Sequence, residues 1–360
     1  MTLLDASLPT PTALTPANPA ALERKNQLLT DIARLKAERN AVIIAHVYER
    51  LEVQDVADFT GDSLGLSRQA ASTDADVIIF CGVHFMAETA KLLSPQKTVI
   101  LANANAGCPM ADMITRDQLK AFKAQHPGLP VVAYVNTPAD VKAESDYCCT
   151  SANAVDVVCH VLAEQAKIGG PDKLLFVPDK NLGRFVQGQL AQQGFPNASL
   201  ICYDGFCPTH LRMNVDDLLK LKQQHPDALI LAHPECDSAL LAHADFIGST
   251  TAIVNHAHET QKRTYIICTE DGVTQRLSRD LPDKLFLTPS RTAAICPNMK
   301  MTRLENIYNA LAGNVPEITL AQDVADAARR CIDSMMTVVP RAKIDAPKNL
   351  CACANSDTTQ

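Results

Sequence analysis

Residues 41–48 read AVIIAHVY, an unbroken apolar run that ends on His46 and Tyr48. A short β-branched run with no polar alternation reads as a strand buried on both faces, the kind that lies in a parallel sheet covered by helices. Further runs of this type follow along the chain: DVIIF, TVILA, PVVAYV, KLLFVP, SLICY, ALILAH, DFIGS, TYIIC and KLFLT. Helical-looking segments separate them, which places the chain in the α/β class with parallel sheets.

The polar residues that end these runs recur in threes. His46, Tyr134 and His233 each close the first strand of a unit, and Ser63, Ser151 and Ser249 follow after 17, 17 and 16 residues. A Cys-Pro step then follows each serine, at Cys108, Cys207 and Cys296, after 45, 56 and 47 residues. With 13 Cys and 21 Pro in 360 residues, chance order would give about 0.8 such steps. Three copies of one unit explain the excess. Ligands of parallel sheets bind outside the carboxyl ends of the strands, so three facing units would pool these residues in a central crevice.

The expected layout is a disordered tail at 1–22, α/β domains at 23–112, 113–211 and 212–300, helices at 301–338 packing on the first domain, and a mobile tail at 339–360. Residues 1–22 contain no Lys or Arg and so lack the basic start of a signal peptide. No apolar stretch is long enough to span a membrane. An odd cysteine count without a short disulfide framework suits a reducing compartment, so a cytoplasmic location is expected. The net charge of -7 and the absence of a basic patch argue against nucleic acid as a partner.

Ser63, Thr150-Ser151 and Ser249-Thr250 precede amphipathic segments, where helix-capping hydroxyls belong and where free N–H groups favour anions. Strand-end His233 and Glu235 suit proton transfer, and His46, Tyr48, Tyr134 and Asn136 occupy equivalent places in the other units. His84, Glu88, Glu270 and Asp271 also follow strands, without a role readable from the sequence. Cys81, Cys159, Cys202 and Cys268 sit in apolar runs and read as core thiols. Spacing alone leaves Cys108, Cys207 and Cys296 open to zinc, an iron-sulfur cluster or structural burial.

The ordered motifs IIAHVY, GDSLGL, CGVHFMAETAK, AGCPMADM, YVNT, CTSANAV, HPEC, GSTTAI, TEDGV and CPNMK, spread from Ala41 to Met301, resemble the quinolinate synthase A family. The resemblance implies three pseudo-equivalent, three-layer αβα (Rossmann-like) domains around one active site. It implies a 4Fe-4S cluster held by Cys108, Cys207 and Cys296, with one iron left open as a Lewis acid. The implied reaction condenses iminoaspartate (iminosuccinate) with dihydroxyacetone phosphate, releasing phosphate and water as quinolinate forms in de novo NAD biosynthesis. L-aspartate oxidase or aspartate dehydrogenase would be the functional neighbour. By the same resemblance His46, Ser63, Tyr134, Asn136, Ser151, His233, Glu235, Ser249 and Thr250 bind substrate. Glu235 is the principal acid/base, assisted by His233 and Tyr48.

Two departures accompany the match. The CxxCxxC run of some family members is absent around Cys296, so no thiol switch is carried over, and Cys351 and Cys353 read as a mobile thiol pair. The family's HYYQ is HVYE here, with Val47 and Glu49 off-pattern. A homodimer is the expected assembly. The competing classes are a non-catalytic iron-sulfur or small-anion sensor and a zinc hydrolase.

Overall fold

The computed structural model describes residues 19–339. Three parallel four-stranded sheets follow one another along the chain. The first holds β1 (Ala41–His46), β2 (Phe59–Gly61), β3 (Val77–Cys81) and β4 (Thr98–Leu101). The second holds β5 (Val131–Tyr134), β6 (Tyr147–Cys149), β7 (Lys173–Val177) and β8 (Ser199–Cys202). The third holds β9 (Leu229–Ala232), β10 (Phe246–Ile247), β11 (Thr264–Cys268) and β12 (Leu285–Leu287). With helices between the strands, these are the three αβα units expected from the sequence.

The orders β2-β1-β3-β4, β6-β5-β7-β8 and β10-β9-β11-β12 repeat one winding. In each sheet the chain steps from its first strand to the edge, then crosses to the other side. The change of direction lies at the carboxyl end of the first strand, where open α/β sheets bind ligands. His46 and Tyr134 end β1 and β5, and His233 follows β9. β2 and β6 escaped the run-based reading because each is a three-residue edge strand, too short to show a pattern.

The repeat extends to single hydrogen bonds. Asp58, Asp146 and Asp245 each accept from the backbone N–H fifteen residues earlier, at Ile43, Val131 and Ile230, all at 2.8 Å. Each aspartate returns its own N–H to the carbonyl of the same residue.

Alternate residues of the first sheet serve opposite cores, which is why its strands read as continuous apolar runs. Ile43, Ala45, Ile79 and Ile100 pack with Leu28 and Ile32 of the helix Pro19–Glu38 and with Ile307 and Leu311 of the helix Leu304–Leu311. Val42, Ile44, Ile78 and Phe80 join Val132, Val158, Leu162 and Phe176 of the second unit in one shared core.

Two boundary expectations are corrected. Pro19–Leu22, assigned to the tail, already belong to a helix, since proline is tolerated in a first turn whose N–H groups have no helical partner. The helix Gln322–Thr337 was expected on the first domain. Instead, its stripe of Ala328, Cys331, Ile332 and Met335 enters the core shared with Cys148 and Cys149 of the second unit. Its Ser334 hydroxyl donates to the Asp146 carbonyl at 3.4 Å. Residues 1–18 and 340–360, with the Cys351/Cys353 pair, lie outside the described residues. Among the described residues no helix is long and apolar enough to cross a membrane.

Candidate active site

One cavity of about 890 Å³, counting its open mouth, collects side chains from all three units. His46, Tyr48, Ser63 and Cys108 come from the first, Tyr134, Asn136, Ser151 and Cys207 from the second, and His233, Glu235, Thr250 and Cys296 from the third. Of the residues expected to bind substrate, move protons or hold a cluster, Ser249 is the one that does not line it; His84, Glu88 and Asp271, left without a role, do not line it either.

The hydroxyls explain that exception. Ser249 is a true helix cap, accepting from Ala252 N at 3.3 Å and donating to Asp62 Oδ2 at 3.3 Å. Ser63 is not a cap as expected, because Asp62 occupies that place and accepts from Gly65 N at 3.0 Å. Nor is Ser151, since Asn153 precedes the helix Ala154–Lys167 and braces Thr150 N at 2.7 Å. The hydroxyls of Ser63 and Ser151 are therefore not used on helix ends and belong to cavity-lining residues.

Two strand-end histidines are fixed alike. His46 Nδ1 accepts from Tyr48 N at 3.2 Å and His233 Nδ1 from Glu235 N at 3.3 Å. A neutral ring so held carries its proton on Nε2. Burial keeps both rings neutral, moving His46 down to about 4 and His233 down to about 3, against the opposing pull of nearby carboxylates. His233 Nε2 reaches Ser151 Oγ at 3.1 Å.

Glu235 lies at the junction of the units. Its Oε1 accepts from the Tyr134 hydroxyl and its Oε2 lies 2.8 Å from His210 Nδ1. Burial alone would raise this carboxyl, but His210 and His233, with hydrogen bonds from His210 and Tyr134, hold it well below the usual carboxylate range. His210 Nε2 meets Thr269 Oγ1 at 3.0 Å, which meets the Tyr48 hydroxyl at 2.8 Å. A continuous hydrogen-bonded chain thus runs from Tyr134 through Glu235, His210 and Thr269 to Tyr48. The sequence reading missed both connecting residues, although His210 stands three residues after Cys207 and Thr269 opens the motif TEDGV.

Cys108, Cys207 and Cys296 are free, half-buried thiols. Burial pushes Cys108 up to about 12 and raises Cys207 and Cys296 as well, so a bound cation is what would hold them as thiolates. Two buried carboxyl groups hold the backbone of two of them. Asp179 Oδ2 accepts from Cys207 N at 3.1 Å, and Glu270 Oε1 accepts from Cys296 N at 3.2 Å. Each also caps the helix after the third strand of its unit, whereas the first unit has Val83 there. Glu270 pairs with Lys300 at 3.0 Å, and Lys300 Nζ donates to the Tyr48 carbonyl. Gly272 makes room for this clasp, since a Cβ there would lie 2.8 Å from both Glu270 Oε2 and the Val47 carbonyl. Separately, one ligand atom each from Cys207, His210 and Glu235 lie within 4.8 Å of one another, a spacing that could hold a metal ion.

The family described as quinolinate synthetase A protein matches residues 30–337. The chain belongs to this family. It is 49% identical over 309 residues to a quinolinate synthase of Geobacter metallireducens, covering 86% of this chain and 96% of that protein. It is 45% identical over 314 residues to one of Thermodesulfovibrio yellowstonii, covering 87% and 99%. A quinolinate synthase of Clostridium kluyveri is 46% identical over 311 residues, covering 86% and 98%. The matched region of the family takes in all three sheets and all three Cys-Pro steps.

Proposed function

We propose that the chain is a cytoplasmic quinolinate synthase of NAD biosynthesis, which condenses iminoaspartate with dihydroxyacetone phosphate and releases phosphate and water. The observation that carries this reading is the convergence of three strand-end sites and three cysteines on one cavity, in a member of the quinolinate synthetase A family.

In this reading His46 offers an Nε2–H donor to a substrate oxygen, His233 acts together with the Ser151 hydroxyl that its Nε2 meets, Ser63 offers its hydroxyl, and Tyr134, Asn136 and Thr250 complete the contacts. Ser249 acts behind them, by fixing Asp62 and the start of the helix Thr250–Glu259. Arg212, the one guanidinium lining the cavity among the described residues, gives the phosphate a charge partner. Glu235, ionised and directional, is the base that takes a carbon-bound or nitrogen-bound proton. The Thr269–His210 link lets that proton pass toward Tyr48 without leaving for water. L-aspartate oxidase or aspartate dehydrogenase would supply the imine.

Cys108, Cys207 and Cys296 would hold a 4Fe-4S cluster, and three half-buried thiols lining one cavity, two of them with amide N–H groups held by Asp179 and Glu270, fit that group. When bound, the cluster supplies an open iron as a Lewis acid for loss of water.

A competing reading is a single divalent ion on Cys207, His210 and Glu235, favoured by their spacing. Metal and acid-labile sulfide determination on anaerobically purified protein, combined with a quinolinate assay using iminoaspartate generated in situ, separates the two. The proposal expects about four iron with matching sulfide and product formation. Protein carrying one zinc and no sulfide, or cluster-loaded protein that makes no quinolinate, would refute it.

A further inference from the structure

The three units brace their strand-end turns differently. In the first and third, the strand-end histidine holds the amide N–H two residues on. The second unit has Tyr134 at that place, and its hydroxyl is committed to Glu235. No ring nitrogen is available there to steady Asn136.

Lys142 occupies the gap from the other side. Its Nζ donates to the Val135 carbonyl at 2.8 Å and to the Thr137 carbonyl, the two groups that flank Asn136. Thr137 adds two bonds of its own, from N to the Val135 carbonyl at 2.8 Å and from Oγ1 to the Tyr134 carbonyl at 3.0 Å. Glu88, whose role the sequence left open, accepts from Ala139 N at 3.0 Å and closes the far end of the turn. At the apex, Asn136 Oδ1 is buried without a hydrogen-bond partner while the residue lines the cavity.

Lys142 is 0% exposed, and the hydrogen bonds of its ammonium go to carbonyls and not to a carboxylate. The ring of Phe85, itself a lining residue, lies 5.6 Å away. An ammonium placed out of water without an ion pair is costly, and an apolar side chain of the same length would pack there without that cost. What the ammonium supplies, and an apolar chain could not, is a fixed turn.

We infer that Lys142 is a positioning residue for Asn136, clamping the carbonyls on either side so that the Asn136 amide is presented to a nitrogen-bearing dicarboxylate in the cavity. The inference rests on the reading that the cavity takes iminoaspartate and yields quinolinate. It assigns a role to a residue that touches no substrate.

The test is a double-mutant cycle read by binding and not by turnover. Cluster-loaded protein is titrated anaerobically with quinolinate by calorimetry, for wild type, Asn136→Ala, Lys142→Met, Lys142→Gln and the Asn136→Ala/Lys142→Met double variant. Each of Asn136→Ala and Lys142→Met should raise Kd about tenfold, and the double variant should bind no more weakly than Asn136→Ala alone. Lys142→Gln, which keeps donors on a shorter chain, should fall between wild type and Lys142→Met, with iron content unchanged in all. Additive losses in the double variant, or loss of iron from both Lys142 variants, would make Lys142 merely structural and overturn the inference. If Asn136→Ala binds as wild type does, the reading of the cavity fails first and takes the inference with it. If Asn136→Ala weakens binding and Lys142→Met does not, the inference alone fails.

Discussion

The Tyr134 hydroxyl donates to Glu235 Oε1 at 2.5 Å, joining the end of the second unit's first strand to the loop after the third unit's first strand. His210 holds the other oxygen, so Glu235 is aimed by two residues from a different unit. Glu235→Gln keeps the shape and removes the base. Its kcat should fall by about 10²–10⁴, with the Kd for quinolinate changed by less than about tenfold. Steady-state kinetics beside calorimetry check this, and a variant that retains most of its kcat would remove Glu235 from the proton-transfer role.

The carboxyl groups that hold two of the cysteine amides make a second test. Asp179→Asn and Glu270→Gln each turn a carboxyl that holds a cysteine amide into a carboxamide, without touching a thiol. Iron loss to a chelator, followed by visible absorption, should quicken by about 10–100-fold in each. Unchanged release would mean that these carboxyl groups serve only their helix caps.

His46 gives a pH signature. Its ordinary value is 6.5 and burial lowers it to about 4 in the fold, so between these limits the unfolded chain binds a proton that the folded chain does not. Stability is then lost as pH falls from 6.5 toward 4, by about 3 kcal/mol over the full window. His46→Asn should lack this contribution, and its thermal midpoint should gain on wild type as the buffer is acidified from pH 7 to 4.5. Parallel curves would refute the assignment.

Glu49, one of the off-pattern residues in HVYE, works in the opposite direction. It is 0% exposed, neither carboxyl oxygen has a hydrogen-bond partner, and burial pushes it up to about 9. The unfolded chain ionises at 4.5 and the fold resists, so stability falls as pH rises from 4.5 to 9, by about 3 kcal/mol at pH 7. Glu49→Gln, which restores the pattern, should raise the thermal midpoint at pH 8 and leave it unchanged at pH 4.5. A variant no more stable than wild type at pH 8 would show that the carboxyl ionises in place.

The sheets were legible because each first strand is apolar on both faces, as AVIIAH, PVVAYV and ALILAH show. β2 and β6 were not, for three residues carry no period. Site residues at strand ends could be read from their repetition, yet the capping reading failed at Ser63 and Ser151, because Asp62 caps the first helix and Asn153, which directly precedes the second, turns its side chain back to Thr150. His210, Thr269 and Lys142 stayed hidden for a related reason. Their meaning depends on partners 25, 221 and 5–7 residues away, and only packing brings those partners within reach.

The three aspartates at 58, 146 and 245 sit far back from the cavity, yet they set its aim. A strand that slides by one residue turns every side chain to the opposite face. Each aspartate locks the phase of a first strand near its start, and that phase decides whether His46, Tyr134 and His233 look into the common chamber or away from it. The direction of the site is therefore written at the opposite end of the strands from the chemistry, once in each unit.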